Sequence, residues 1–230
     1  MLRRIVSLLS VGAFMAFLVV TPAAAQPGRG TSCSDVAVPT EVEPGLELPV
    51  LPAGTYDRLV VPEGTICVSE GPLTIRGGVF IDEGATFVLG SEDSPGSTGT
   101  ISGGVYATGP AAVQIHFATI NGGIDIQGGA GPFGPPFDIT WNAIEDNQIN
   151  GGVTIDGYNG YWFGFIRNHV NGSVSLTNNV LVDTDGNEYV TNTIHGSLHC
   201  SGNEPAAQVG DSEGAPNHVT GSKTGECAAV

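Results

Sequence analysis

Lysine is all but missing from this 230-residue chain: Lys223 stands alone, and Lys and Arg together number seven. Nucleic acid is gripped through its phosphates by clustered Lys and Arg, so the scarcity argues against it as a partner. Aromatic residues are also few, at 7%, so any cluster of them stands out. Long apolar runs are confined to the first residues. Arg3 and Arg4, the run Ile5 to Val20 and then Thr21-Pro22-Ala23-Ala24-Ala25 form the charged head, apolar middle and small-residue end of a cleavable secretory signal. The run is short for a bilayer span. Residues 1–25 are therefore expected to be removed after Ala25, leaving a secreted, extracellular chain with no membrane attachment.

Acid dominates what remains. The signal takes Arg3 and Arg4 with it and no acidic residue, so five basic residues face 23 acidic ones and the mature charge is −18. A surface of that sign favours solubility and disfavours an electrostatic grip on anionic polymers. Four cysteines, an even number in an oxidising compartment, imply two disulfides. Three pairings exist on paper. The chain positions favour Cys33 with Cys67 and Cys200 with Cys227, each closing a local loop near one terminus, and the spacings are too wide for a zinc site. In the chain-entropy model each bridge stabilises by about 3 to 4 kcal/mol.

Glycine is abundant, at 35 residues, and it punctuates a recurring phrase. The phrase reads Ile75-Arg76-Gly77-Gly78-Val79-Phe80-Ile81, Ile101-Ser102-Gly103-Gly104-Val105-Tyr106-Ala107 and Ile120-Asn121-Gly122-Gly123-Ile124-Asp125-Ile126 in its first copies. It continues through Ile149-Asn150-Gly151-Gly152-Val153, Val170-Asn171-Gly172-Ser173-Val174 and Ile194-His195-Gly196-Ser197-Leu198 to a degraded Val219-Thr220-Gly221-Ser222. The first glycines are 26, 19, 29, 21, 24 and 25 positions apart, a period typical of repeat architectures. Apolar and polar residues alternate on both sides of the glycine, as in a strand with one buried face. The glycine marks a sharp bend, needed either because a side chain would clash there or because φ is positive. Asn147, Asn168, Asn192 and Asn217 each precede a copy and are expected to stack as a structural amide ladder.

The pattern resembles the right-handed parallel β-helix of the pectate-lyase-like superfamily over roughly residues 50 to 227. The resemblance implies an all-β, single-stranded solenoid of about seven coils with disulfide-stapled ends. An N-terminal extension and cap occupies 26–50, the β-helix 51–227 and a short tail 228–230. The capped ends are expected to oppose end-to-end association and keep the chain a monomer. A propeller or Greek-key sandwich would show more hairpin signals.

Two outward columns follow from the alternation: Phe80, Tyr106, Asp125, Thr154, Ser175, His199, and, ahead of the glycine, Arg76, Ser102, Asn121, Asn150, Asn171, His195, Thr220. Enzymes of the resembled superfamily cut acidic polysaccharides with grouped carboxylates, often with calcium and a basic residue. Here Asp125 is alone in its column, and glycoside hydrolysis needs two carboxyl groups about one bond. The expected role is accordingly a non-catalytic structural or surface-interaction protein that touches glycans or another cell-envelope component. The alternative is a lyase or hydrolase of unfamiliar type using Asp125 and Arg167. Tyr158, Tyr161, Trp162 and Phe163, with Phe133, Phe137 and Trp141 beside them, read as a stacking platform for sugars or as a plug between coils. Asp183, Asp185 and Asn187 carry oxygen at alternate positions and offer a calcium loop, the one cofactor to test, although a plain Asx turn accounts for the same residues.

Overall fold

A computed structural model describes residues 30–131, 141–210 and 214–230, without the side chains of Glu43 and Trp141. The expected signal 1–25, Phe133 and Phe137 lie outside the described residues, as does the Trp141 side chain. The fold is all-β, built of three long sheets. The first contains Leu59–Val61, Val79–Ile81, Val105–Thr108, Ile124–Gln127, Val153–Asp156, Val174–Thr177 and Leu198–Ser201, stacked in that order. The second stacks Ile66–Ser69, Thr86–Leu89, Ala112–His116, Trp141–Glu145, Trp162–Ile166 and Glu188–Val190. The third stacks Gly54–Tyr56, Leu73–Ile75, Gly99–Ile101, Ala118–Ile120, Gln148–Ile149, His169–Val170, Thr193–Ile194 and His218–Val219. The chain visits third, first and second sheet in turn, so each circuit lays one strand on each sheet, parallel to its predecessor. Among the described residues the one antiparallel pair is Val38–Glu43 with Leu46–Val50, before the first full circuit.

Each sheet turns one face inward. Val105, Ile124, Val153 and Val174 stack from the first sheet, Ile101, Ile120 and Ile149 from the third, and Val113, Ile115, Ile144, Phe163 and Phe165 from the second, all at most 2% exposed. Burying a side chain of this kind is worth about 1.5 to 3 kcal/mol, and the repeat supplies such residues at every level.

Three corners close each circuit, by different means. Between third and first sheets lies the glycine phrase. A Cβ on Gly122 would sit 2.6 Å from the backbone of Gly103 in the circuit below, and one on Gly151 would sit 2.5 Å from Gly123. Close approach of backbones, rather than positive φ, therefore accounts for these glycines. Between first and second sheets the corner residue is left-handed, at Gly64 (φ 64°), Gly157 (φ 73°) and Asn178 (φ 55°). Between second and third sheets Phe117, Asp146, Arg167 and Thr191 are left-handed at φ 56° to 59°.

Asparagines follow the last corner as a buried ladder. The N–H groups of Asn147, Asn168 and Asn192 donate to the Oδ1 of Asn168, Asn192 and Asn217 at 3.1, 2.8 and 3.0 Å, and their amide nitrogens also reach inner carbonyls. A second ladder that the repeat did not advertise runs from Tyr158 N–H through Asn179 and Asn203 to Glu226 at the other left-handed corner. Both leave few buried amides unpaired, as an interior demands. Disulfides Cys33–Cys67 and Cys200–Cys227 join the first and last circuits to a short helix, Cys33–Val36, and a 3-10 turn, Glu226–Ala229.

Candidate functional site

Strand alternation that buries isoleucine on the third sheet turns its neighbours outward. Thr55, Thr74, Thr100 and Thr119 lie directly above one another in four consecutive circuits, continued by Gln148 and His169. Threonine is restricted at χ1, and the side chains form a row at the strand spacing of about 4.8 Å. Two residues on, Ser102, Asn121, Asn150 and Asn171 make a parallel, exposed row. Its amides are tied to one another: Asn150 Nδ2 donates to Asn121 Oδ1 at 2.8 Å, and Asn171 Nδ2 to Asn150 Oδ1 at 2.7 Å. At its head Arg76 and Asp57 pair at 3.1 Å in open solvent.

Round the glycine corner, on the first sheet, Phe80 and Tyr106 occupy successive circuits and stack with centroids 5.2 Å apart and planes 23° apart. The Arg58 guanidinium sits 3.7 Å over the Phe80 ring, a cation–π contact. The rings lean over the corner because Gly78 and Gly104 have no side chains: a Cβ on Gly104 would be 2.8 Å from Tyr106 Oη, and one on Gly78 would be 3.1 Å from Phe80. Tyr106 remains 44% exposed. Two polar rows and a partly exposed ring thus share one edge of the molecule, which can offer apolar contact while exchanging hydrogen bonds with hydroxyls.

The segment read as an aromatic platform is divided. Tyr158 and Phe163 are each 2% exposed and belong to the core, because Tyr158 follows the left-handed Gly157 and turns inward while Phe163 is an inward position of its strand. The Tyr158 hydroxyl meets Asn142 and the Ala111 carbonyl, and the void around it is about 10 Å³, too small for a sugar. Tyr161 and Trp162 are half-buried, the indole lying across Gly164 where a Cβ would collide with it. As a four-residue platform the segment therefore fails; it fills the interior and covers a sheet.

Asp125 and Arg167 are not brought together either. Asp125 projects from the first sheet and accepts from Gln127 Nε2 at 2.6 Å. Arg167, at a left-handed corner of the next circuit, donates twice to Asp146 at 2.8 Å and once to Glu145 at 3.2 Å, and reaches Glu92 at 3.9 Å. Its fork is spent on neighbours. The calcium triad is likewise split: Asp183 Oδ1 accepts the Asp185 N–H in an Asx turn, whereas Asn187 is fully buried, donating to the Asn179 and Pro205 carbonyls and accepting from Tyr189. Among the described residues no three His, Cys, Asp or Glu side chains gather as metal ligands.

An acidic cluster that the repeat did not reveal lies on the outward face of the second sheet. His116 and Glu145 are cross-strand partners, 4% and 3% exposed, with Nδ1 and Oε2 3.7 Å apart. Glu188, 1% exposed, lies two strands along, with Gly210 of a later loop packed against it. Burial, reinforced by Glu92, Asp146 and Glu188 and opposed by Arg167, pushes the Glu145 carboxyl up to about 8. Burial pushes His116 down to about 4. Buried side chains beside a clamped arginine describe a covered structural cluster. Alternation marks these positions as outward, and only loops from other circuits bury them.

Compared with known proteins, the chain matches no family model, no curated protein and no solved structure. Among the described residues no helix is long and apolar enough to cross a membrane.

Proposed function

We propose that the three-sided stack is a right-handed parallel β-helix of about seven coils, exported and acting outside the cell as a non-catalytic surface-interaction module that contacts glycans of the envelope or its surroundings. Right-handedness is what nearly all crossovers between parallel strands of one sheet adopt. The observation that carries the functional reading is the unbroken register of outward rows along the glycine corner, in which the amides of Asn121, Asn150 and Asn171 are tied to one another. Side chains already held in place lose little entropy on binding, so a pre-ordered surface serves recognition. The acid and base that a lyase or hydrolase would use are instead engaged locally.

Two assays on purified protein test this. Retention on isolated cell-wall material is expected, together with no release of unsaturated or reducing ends from a broad panel of polysaccharides. Release that disappears in Asp125→Ala would replace the non-catalytic reading with an enzymatic one. Absence of retention on any wall preparation would remove the binding half.

A further inference from the structure

The glycine corner carries more detail than a generic adhesive surface, and its chemistry restricts what can lie on it. Along the rows from Thr74 to His218 and from Ser102 to Thr220 no position is a carboxylate, in a chain with 23 acidic residues. Of the acids that border the face, Asp57 is paired with Arg76, and Asp125, next to Tyr106 in the following circuit, accepts from Gln127. The hydroxyl row and the amide row run parallel to the stack, one step of about 4.8 Å per circuit. Beside them the Tyr106 ring is stacked on Phe80, and Arg58 covers Phe80 in turn. With one face on Phe80 and the residue still 44% exposed, Tyr106 keeps apolar surface open, and the neighbouring Thr, Ser and Asn side chains both donate and accept.

We infer that this corner is the docking face for an extended, uncharged polysaccharide chain running along the stack, with a sugar ring seated on Tyr106 and the neighbouring hydroxyls bonded to Thr74, Thr100, Ser102 and Asn121. The inference rests on the interaction-module reading and assigns it a face and a ligand class. Charge selects the ligand: the protein carries a net −16, which repels anionic polymers, while an uncharged chain meets no such barrier and finds no acid on the rows. Row composition points the same way. A ring, hydroxyls, amides and imidazoles on one face suit a polymer whose apolar ring faces alternate with polar edges. The face is only two rows wide, so one short oligosaccharide binds weakly and affinity grows with the number of sugars engaged along the row.

The probe is depletion of the purified full-length protein from solution by insoluble cellulose and chitin, with an anionic polymer gel as comparator and growing ice as a lattice comparator. The wild type is expected to be depleted by at least one of the two uncharged polymers and excluded from the anionic gel. Tyr106→Ala and, independently, Thr74→Glu are each expected to weaken retention about tenfold or more. Val182→Ser, on an exposed site elsewhere, is expected to leave it unchanged. Thr74→Glu adds a charge without removing any packed ring, and an unchanged melting temperature shows that it still folds. Depletion by neither polymer, retention in ice instead, or equal retention of both face variants overturns the inference. Binding to cell-wall material that survives with no binding to cellulose or chitin overturns this ligand assignment alone and leaves the interaction-module reading standing.

Discussion

Glu145 shows how far one residue can depart from what its sequence position suggests. It alternates outward on its strand, yet loops bury it beside His116. Its folded pKa is raised to about 8 from 4.5, so its contribution to stability is complete below pH 4.5 and is lost as pH rises toward 8. His116 is lowered to about 4 from 6.5, so its contribution is complete above pH 6.5 and is lost as pH falls toward 4. Between pH 4.5 and 6.5 the two slopes oppose each other and stability from this pair is flat; from pH 6.5 to 8 only Glu145 acts. Unfolding free energy is expected to fall by about 1.4 kcal/mol per pH unit in that upper window. Glu145→Gln should abolish the fall, as urea melts at pH 6.5, 7.2 and 8 would show. An equal slope in the variant would mean that Glu145 is already ionised in the native protein.

At the scale of strands and corners, two kinds of glycine make opposite predictions. Gly122 has no room for a side chain, with the Gly103 backbone 2.6 Å from any Cβ, and Gly122→Ala is expected to destabilise by about 1 to 3 kcal/mol through overpacking. Gly64 has nothing within 4 Å and needs only φ 64°, a conformation Asn178 already adopts at the equivalent corner, so Gly64→Asn should cost about 1 kcal/mol or less. Denaturant midpoints of the two variants check the contrast. The close-packed corner was legible in the sequence because every copy of the phrase keeps its first glycine. The left-handed corners were not: Phe117, Asp146, Arg167 and Thr191 share a backbone conformation but no chemistry. The threonine row is legible in the sequence, since Thr74, Thr100 and Thr119 each stand one residue before the isoleucine that opens the phrase. The strand Trp162-Phe163-Gly164-Phe165-Ile166 misled for a different reason. It is apolar on both faces, and only the three-dimensional stack shows that one face meets the core and the other lies under neighbouring segments.

For the whole molecule, the repeat decides both the fold and the proposed binding face, and the loops decide which outward positions are covered. Circuits stack because each buries aliphatic side chains that it cannot hide alone, which is the general logic of solenoids. Both ends carry a disulfide, where a stack has a neighbour on one side only. The outward rows, their spacing and their rigidity are consequences of that stacking, so the proposed binding face stands or falls with it. The most direct test is cross-circuit proximity in solution, read as nuclear Overhauser contacts in isotopically labelled protein. Stacked circuits predict contacts between the strands of Thr100 and Thr119, between the backbones of Gly103 and Gly122, and among the side-chain amides of Asn121, Asn150 and Asn171. Contacts that instead fold Leu73–Ile75 back against Val79–Ile81 as an antiparallel hairpin would contradict the stack and everything placed on its surface.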